Sequence, residues 1–207
     1  MAAAKDNKIL MGLENVHWFE LTETTDTDGS VTTSYGTSHS WPGAVNLALS
    51  PEGDGEAFYA DNGIYYMPGE NVGYSGDLES ALIPEDLKKY ALGRESDSAG
   101  VVIETSQGAK KAFAITADLT GDQKARRIVL YKCFLARPQI QGSTKTNSNT
   151  PQTEVATLTV VPRADFTSVK RGTETLQEHL VQAATNAATN AEAYSAWHTA
   201  PYTPAYT

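Results

Sequence analysis

Three apolar residues at alternate positions, Val45, Leu47 and Leu49, have Asn46 and Ala48 between them. Successive strand side chains point to opposite faces, so this spacing reads as a strand with one face buried. The same signature recurs along most of the chain, always punctuated by turn residues. Residues 16–22 are β-branched and aromatic and run into a Thr/Asp cluster that closes at Asp28-Gly29. Residues 58–66 place Asn62-Gly63 between two aromatic runs, and Asn-Gly tolerates the positive φ angles of a tight hairpin. In residues 73–83, Tyr74, Leu78 and Leu82 are expected on one face and Asp77 and Glu79 on the other. Further strands are expected at residues 100–105 and 154–162. A long hairpin is expected from residues 110–118 and 124–135 around Leu119-Thr120-Gly121-Asp122, with Phe113 and Ile115 facing Val129 and Tyr131.

Helical signals are fewer. Pro84 suits the first helical position, Glu85 and Asp86 favour the positive end of the helix dipole, and Gly93 suits the end. Leu87, Tyr90 and Ala91 supply the apolar stripe. Further on, Thr175-Leu176-Gln177-Glu178 fits a capping box, and Leu176, Leu180, Ala183, Ala187, Ala191 and Tyr194 recur at roughly helical spacing. A helix is therefore expected between Thr175 and Trp197, followed by an extended tail at Pro201 and Pro204. The expected fold is mainly β: an antiparallel β-sandwich or barrel with one short flanking helix at about 84–92 and a C-terminal helix. No internal repeat at a fixed period is present.

The 207 residues suit one β-sandwich domain over 1–170, with long loops at 51–73 and 139–152. The Ala/Thr-rich segment 171–207 is expected to pack on that domain. A chain with 40% hydrophobic and 20% charged residues is not a wholly disordered one. Lys and Arg number 16 against 25 Asp and Glu, a net charge of −9, which argues against a protein that grips nucleic acid phosphates. Cys133 is the single cysteine, so no internal disulfide forms and a reducing compartment is expected. No run approaches the 18 or so consecutive apolar residues of a membrane helix. The amino terminus lacks the apolar run of a secretory signal, and a soluble protein is expected.

Candidate chemistry is thin. His17, His39, His179 and His198 fall in no zinc-ligand spacing. Asp26-Thr27-Asp28-Gly29 begins like a calcium loop but lacks the later ligands, so a Gly-terminated turn is expected. Gly73-Tyr74-Ser75-Gly76 is not a nucleophile elbow, and close backbone approach explains its glycines better. Asp77 and Glu79 share a strand face and, with Asp118, are the carboxylates an acid–base hydrolase would use; a solvated sheet surface is the plainer reading. Lys110-Lys111 and Arg126-Arg127 lie on the two arms of one hairpin and suit intersubunit salt bridges. Cys133 reads as a small core residue. No catalytic, cofactor-binding or metal site is expected.

Several segments, taken in order, resemble a known family. They are Asn7-Lys8-Ile9-Leu10-Met11-Gly12-Leu13-Glu14-Asn15-Val16-His17, Pro42-Gly43-Ala44-Val45-Asn46-Leu47-Ala48-Leu49-Ser50-Pro51-Glu52-Gly53-Asp54, Phe58-Tyr59-Ala60-Asp61-Asn62-Gly63 and Gly73-Tyr74-Ser75-Gly76-Asp77-Leu78-Glu79 running into Ala81 to Asp86. Residues 127–138 and Ala193-Tyr194-Ser195-Ala196-Trp197 continue the likeness, and residues 171–190 match least. Together they resemble the phi13-type major tail proteins of long-tailed bacteriophages of Gram-positive bacteria. That resemblance implies a structural virion protein: a tail-tube subunit whose hexameric rings stack into a hollow conduit for DNA ejection. It implies self-association, contact with tape measure, tail terminator and distal tail proteins, and DNA passing through without specific binding. It also implies localisation in the phage tail after assembly in the host cytoplasm, no membrane partner and no catalytic residue. A β-sandwich decoration or receptor-binding module, with the aromatic hairpin 58–66 as its ligand patch, is the alternative.

Overall fold

The computed structural model describes residues 10–55, 58–66, 69–121, 125–144, 151–188 and 190–205. In chain order the strands are β1 (Gly12–Thr25), β2 (Val31–Trp41), β3 (Ala44–Asp54), β4 (Phe58–Ala60), β5 (Gly63–Tyr66) and β6 (Gly69–Ser80). Helix α1 (Glu85–Leu92) follows, then β7 (Glu95–Ser96), β8 (Val102–Ile103), β9 (Phe113–Thr120), β10 (Arg126–Leu135) and β11 (Glu154–Val160). The chain continues through β12 (Thr167–Arg171), β13 (Glu174–Glu178), β14 (Gln182–Asn186) and helix α2 (Ala191–Ala196). The protein is mainly β and its ladders are antiparallel.

The main sheet runs β2-β1-β9-β10-β11-β6-β3. Its two outer strands are consecutive in the chain, joined only by Pro42 and Gly43. A flat sheet of this size would hold its edges about 29 Å apart, at ~4.8 Å per strand. Trp41 and Ala44 are three residues apart and so lie within about 11 Å. The sheet must therefore curl on itself at that corner. Ser80 pins the closure: its hydroxyl accepts from the Trp41 indole at 3.0 Å and lies 3.0 and 2.9 Å from the carbonyl oxygens of Gly43 and Leu82. Inside the curl, Trp18, Trp41, Leu78, Phe113, Ile115, Leu135 and Leu158 form the core.

Helix α1 lies over that core with Leu87, Ala91 and Leu92 buried. Pro84 precedes the helix as its N-cap rather than opening it, and Gly93 ends it in the left-handed conformation at φ 65°. Lys88 is buried with the apolar residues and meets the Glu154 carboxylate at 2.9 Å. The other Glu154 oxygen accepts the Ile83 backbone N–H at 2.8 Å. Burial alone would raise the Glu154 carboxyl, but these hydrogen bonds and the charges of Lys88 and Arg94 hold it below its ordinary value.

The glycines at 73 and 76 answer to close packing, as expected. A Cβ on Gly73 would lie 2.0 Å from the Val160 carbonyl oxygen, and one on Gly76 would lie 1.9 Å from that of Ala48. Asp26 to Ser30 form the hairpin turn between β1 and β2. There Ser30 donates from both its N–H and its hydroxyl to Asp28 Oδ1, at 2.9 and 2.8 Å.

Three expectations are corrected. Ile115 pairs with Leu130, while Val129 pairs with Thr116 on the opposite face. An irregularity between Leu130 and Cys133 divides β10, and Val129 and Tyr131 pack against Trp197 outside the main core. The capping box at Thr175 to Glu178 is strand β13, paired with β12 through Val169↔Leu176, and β14 then pairs with β10. Cross-strand partners satisfy this backbone, so a helix forms only at Ala191–Ala196, where the Asn190 side chain accepts from the N–H groups of Glu192 and Ala193. In the 58–66 hairpin the positive φ angles fall on Asp61 and Asn62, one residue earlier than the Asn-Gly reading; Gly63 starts the returning strand.

The expected long loop 51–73 is largely β-ladder, with β3 and β6 paired as far as Asp54↔Gly69. The start of the C-terminal segment at residue 171 is the last residue of β12. Residues 7–9 of the family-like segment, Asp122 of the expected turn and residues 145–150 of the polar loop lie outside the described residues.

Candidate functional site

The carboxylates considered for acid–base chemistry do not converge. Asp77 and Glu79 sit on β6, on the face away from Leu78; Thr157 Oγ1 is 3.4 Å from Asp77 Oδ1 and Thr153 Oγ1 is 2.6 Å from Glu79 Oε1. Asp118 is on β9, three strands across the sheet, and its register partner Arg127 lies far along β10 from Ala136, which bonds to the Thr157 that faces Asp77. Among the described residues, hydrogen bonds hold the Asp28, Glu154 and Asp165 carboxyls below their ordinary values, helped by Lys88 at Glu154 and by Arg163 at Asp165. Among the described residues no group of His, Cys, Asp and Glu is placed to hold a metal ion. Cys133 is fully buried, and burial pushes its thiol up, away from reactivity.

Asp118 instead centres a polar cluster that sequence reasoning missed. Its Oδ1 lies 2.8 Å from Arg127 Nε and 2.7 Å from His198 Nε2, and its Oδ2 accepts from Asn15 Nδ2 at 3.2 Å. His198 Nδ1 meets the buried Thr116 hydroxyl at 2.8 Å. His17 stacks on His198 with ring centroids 5.0 Å apart, and its two nitrogens reach Ser38 Oγ at 2.8 Å and Asn15 Oδ1 at 3.1 Å. The Arg127 guanidinium lies 3.8 Å from the Tyr194 ring centroid and donates to the Tyr194 carbonyl.

The order Asp118–His198–Thr116 has the connectivity of a nucleophile relay, but Thr116 is wholly shielded from solvent. What this cluster can do is hold the C-terminal segment to the sheet. The signal for it was period 2: Asn15 and His17 alternate on β1 as Thr116 and Asp118 do on β9, and His17 pairs with Thr116 in register. Nothing local marks His198.

The basic doublets do not form one spot. Lys110 and Lys111 precede β9, whereas Arg126 and Arg127 open β10 at the other end of the hairpin, where Arg126 pairs with Leu119. Within the chain, Arg127 pairs with Asp118. Lys111 places its ammonium 5.2 Å from the Tyr90 ring centroid.

The most conspicuous surface is at the tip of the β3–β6 arm. Phe58, Tyr59, Ile64, Tyr65 and Tyr66 are 60%, 66%, 59%, 74% and 62% exposed. At ~200 Å² for each large side chain this is roughly 600 Å² of accessible, mainly apolar surface. That lies at the upper limit of the patches monomeric proteins usually carry, about 300–600 Å². Phe58 and Tyr65 meet edge to face, 6.4 Å between centroids, which stiffens the tip without covering it.

No family model matches this chain, and neither a curated protein nor a solved structure is significantly similar to it. Among the described residues no helix is long and apolar enough to cross a membrane.

Proposed function

We propose that this chain is a structural virion subunit that associates with copies of itself, forming the stacked hexameric rings of a phage tail tube. The observation that carries the reading is the arm: an antiparallel ladder that leaves the curled sheet and ends in exposed aromatic side chains with little to bury against in their own chain. Strands β2 and β3 add to it, since they end the path of the main sheet and each has a single ladder partner among the described residues. Unpaired edges invite strand addition, and ring closure removes them. A conduit must not hold its cargo, and the net charge of −9 disfavours phosphate binding. Ring size, the tape measure, terminator and distal tail partners, and placement in a tail assembled in the host cytoplasm come from the family resemblance.

The same aromatic tip supports a second reading, a decoration or receptor-binding module. Negative-stain electron microscopy over a concentration series, with wild type beside the Tyr59→Ser/Tyr65→Ser double variant, separates the two. Stacked rings with a central hole from the wild type and none from the variant are the expected result. Closed particles that never stack favour the module. A wild type that stays monomeric at every concentration, alone and with tail-initiating components, removes the tube reading.

A further inference from the structure

The aromatic tip turns at Asn62-Gly63, the single Asn-Gly pair in the chain. We propose that this pair is a self-modification site, at which the Gly63 backbone nitrogen closes on the Asn62 side-chain amide and the product dismantles the tip hairpin.

The chemistry asks for an unengaged asparagine amide, room at the following nitrogen and a backbone able to leave its resting conformation. Asn62 is exposed, and its side chain makes no hydrogen bond among the described residues. Gly63 has no Cβ, and the place where one would sit has nothing within 4 Å. Strands β4 and β5 are three and four residues long and form a separate two-stranded sheet, irregular between Phe58 and Tyr59. A lone hairpin of this size is marginally stable in water, so the turn opens at little cost. Opening is needed, because the closed hairpin holds Gly63 opposite Ala60.

The other asparagines among the described residues lack one or more of these features. Asn15 engages its amide nitrogen on Asp118 and its oxygen on His17, and it precedes the branched Val16. Asn186 accepts from the Ala188 N–H, and Asn190 from those of Glu192 and Ala193. Asn46 and Asn71 precede Leu47 and Val72, whose side chains crowd the attacking nitrogen. Asp28-Gly29 has the right neighbour for the related isomerisation, but Ser30 occupies Asp28 Oδ1 with both its N–H and its hydroxyl.

The step needs no co-reactant but water. The Gly63 nitrogen gives up its proton and bonds to Asn62 Cγ; the Cγ–Nδ2 bond breaks and that nitrogen leaves as ammonia. Water then opens the cyclic imide at either carbonyl. One opening leaves an ordinary aspartate, and the other an isoaspartate whose main chain runs through the former side chain. Isoaspartate thus inserts a methylene into a two-residue turn that depends on Asp61 and Asn62 at φ 50° and 61°. The Tyr59↔Ile64 pairing and the edge-to-face contact of Phe58 with Tyr65 are then lost. The consequence for assembly rests on the tube reading: a subunit left unassembled loses the tip through which it associates.

Peptide mapping of the full chain by mass spectrometry, over a time course at pH 7.5 and pH 8.5, tests the site. The peptide carrying Asn62 should convert first, to two products of acid mass with the isoaspartyl form in excess. Conversion should be faster at the higher pH, because the attacking nitrogen must shed its proton. In the folded chain the rate should lie within about tenfold of that in urea, where the turn is fully open. Gly63→Ala places a methyl where nothing lies within 4 Å, at a φ outside the left-handed region, so it keeps the fold and should lose most of the conversion. Backbone resonances of Tyr59 and Ile64 should move to unpaired values as product accumulates, while those of Leu47 and Leu78 stay. Conversion at Asn62 no faster than at Asn186 or Asn190, an unchanged rate in Gly63→Ala, or an isoaspartyl product that keeps the Tyr59↔Ile64 pairing overturns the proposal. These readouts are taken on unassembled protein, so the site and the tube reading can each fail alone.

Discussion

The arm and the C-terminal strap, residues 190–205, both leave the main sheet carrying aromatic residues, yet they treat them in opposite ways. Trp197 of the strap is 2% exposed, and Tyr65 at the tip of the arm is 74% exposed. The strap follows a route on which β10 supplies partners: the Val129 and Tyr131 side chains, the Ile128 carbonyl and the Tyr131 hydroxyl. The strands of the arm satisfy each other's backbone, and the aromatic side chains at its tip stay largely exposed among the described residues. An aromatic run is thus a core element in one place and an interaction surface in the other. The difference is made by what lies beneath it, not by the residues themselves.

The comparison is broken most severely on the strap side. Trp197→Ala should cost about 3–5 kcal/mol, as large buried aromatics do, and the loss should appear first as exposure of 190–205 in hydrogen exchange and as a lower midpoint in urea. Next is the base of the arm. Gly76→Ala drives a Cβ into the Ala48 carbonyl, so about 1–3 kcal/mol and the β3–β6 register should be lost, read by thermal unfolding and by backbone resonances of Leu49 and Leu78.

A smaller effect is expected at Glu154→Gln, about 1–2 kcal/mol at neutral pH, since Lys88 keeps Glu85 at 3.7 Å but loses its closer partner. Because the Glu154 carboxyl is held below 4.5, its contribution is present above that pH and disappears as the pH falls through the lowered value. Wild type and variant should therefore converge in chemical denaturation under acid conditions. Least of all is Tyr59→Ser/Tyr65→Ser, expected to change unfolding stability by no more than about 0.5 kcal/mol because both rings are exposed. Its effect belongs to association, and a large loss of monomer stability would show that the tip is part of the folded core.

Much of this contrast was visible in the chain as text. Leu47 and Leu49 alternate because strands alternate, and they pack half-buried against the core cluster, whereas Val45, at an irregularity in the β3–β6 pairing, is exposed. Glu85, Asp86 and Gly93 mark the helix because local dipole and backbone chemistry act over a single turn. Leu176, Leu180 and Ala183 misled, since spacing near 3.6 in a short Ala/Thr segment does not outweigh a neighbouring strand that offers backbone partners. Val129 faces away from Ile115 because the hairpin turn sets the register Val129↔Thr116, and the irregularity after Leu130 then shifts the pairing to Cys133↔Phe113; neither leaves a mark in the residue types.

The sequence by itself determined the strand-rich class, the positions of most turns and the lone flanking helix, because each depends on neighbours within a few residues. Only the tertiary structure decided that Pro42 and Gly43 curl the sheet, that β10 serves two partners on one side, and that His198 comes to rest on His17, 181 positions away along the chain. Those outcomes depend on which surfaces are left uncovered once the strands have paired. Long-range burial settles that, and local spacing does not encode it.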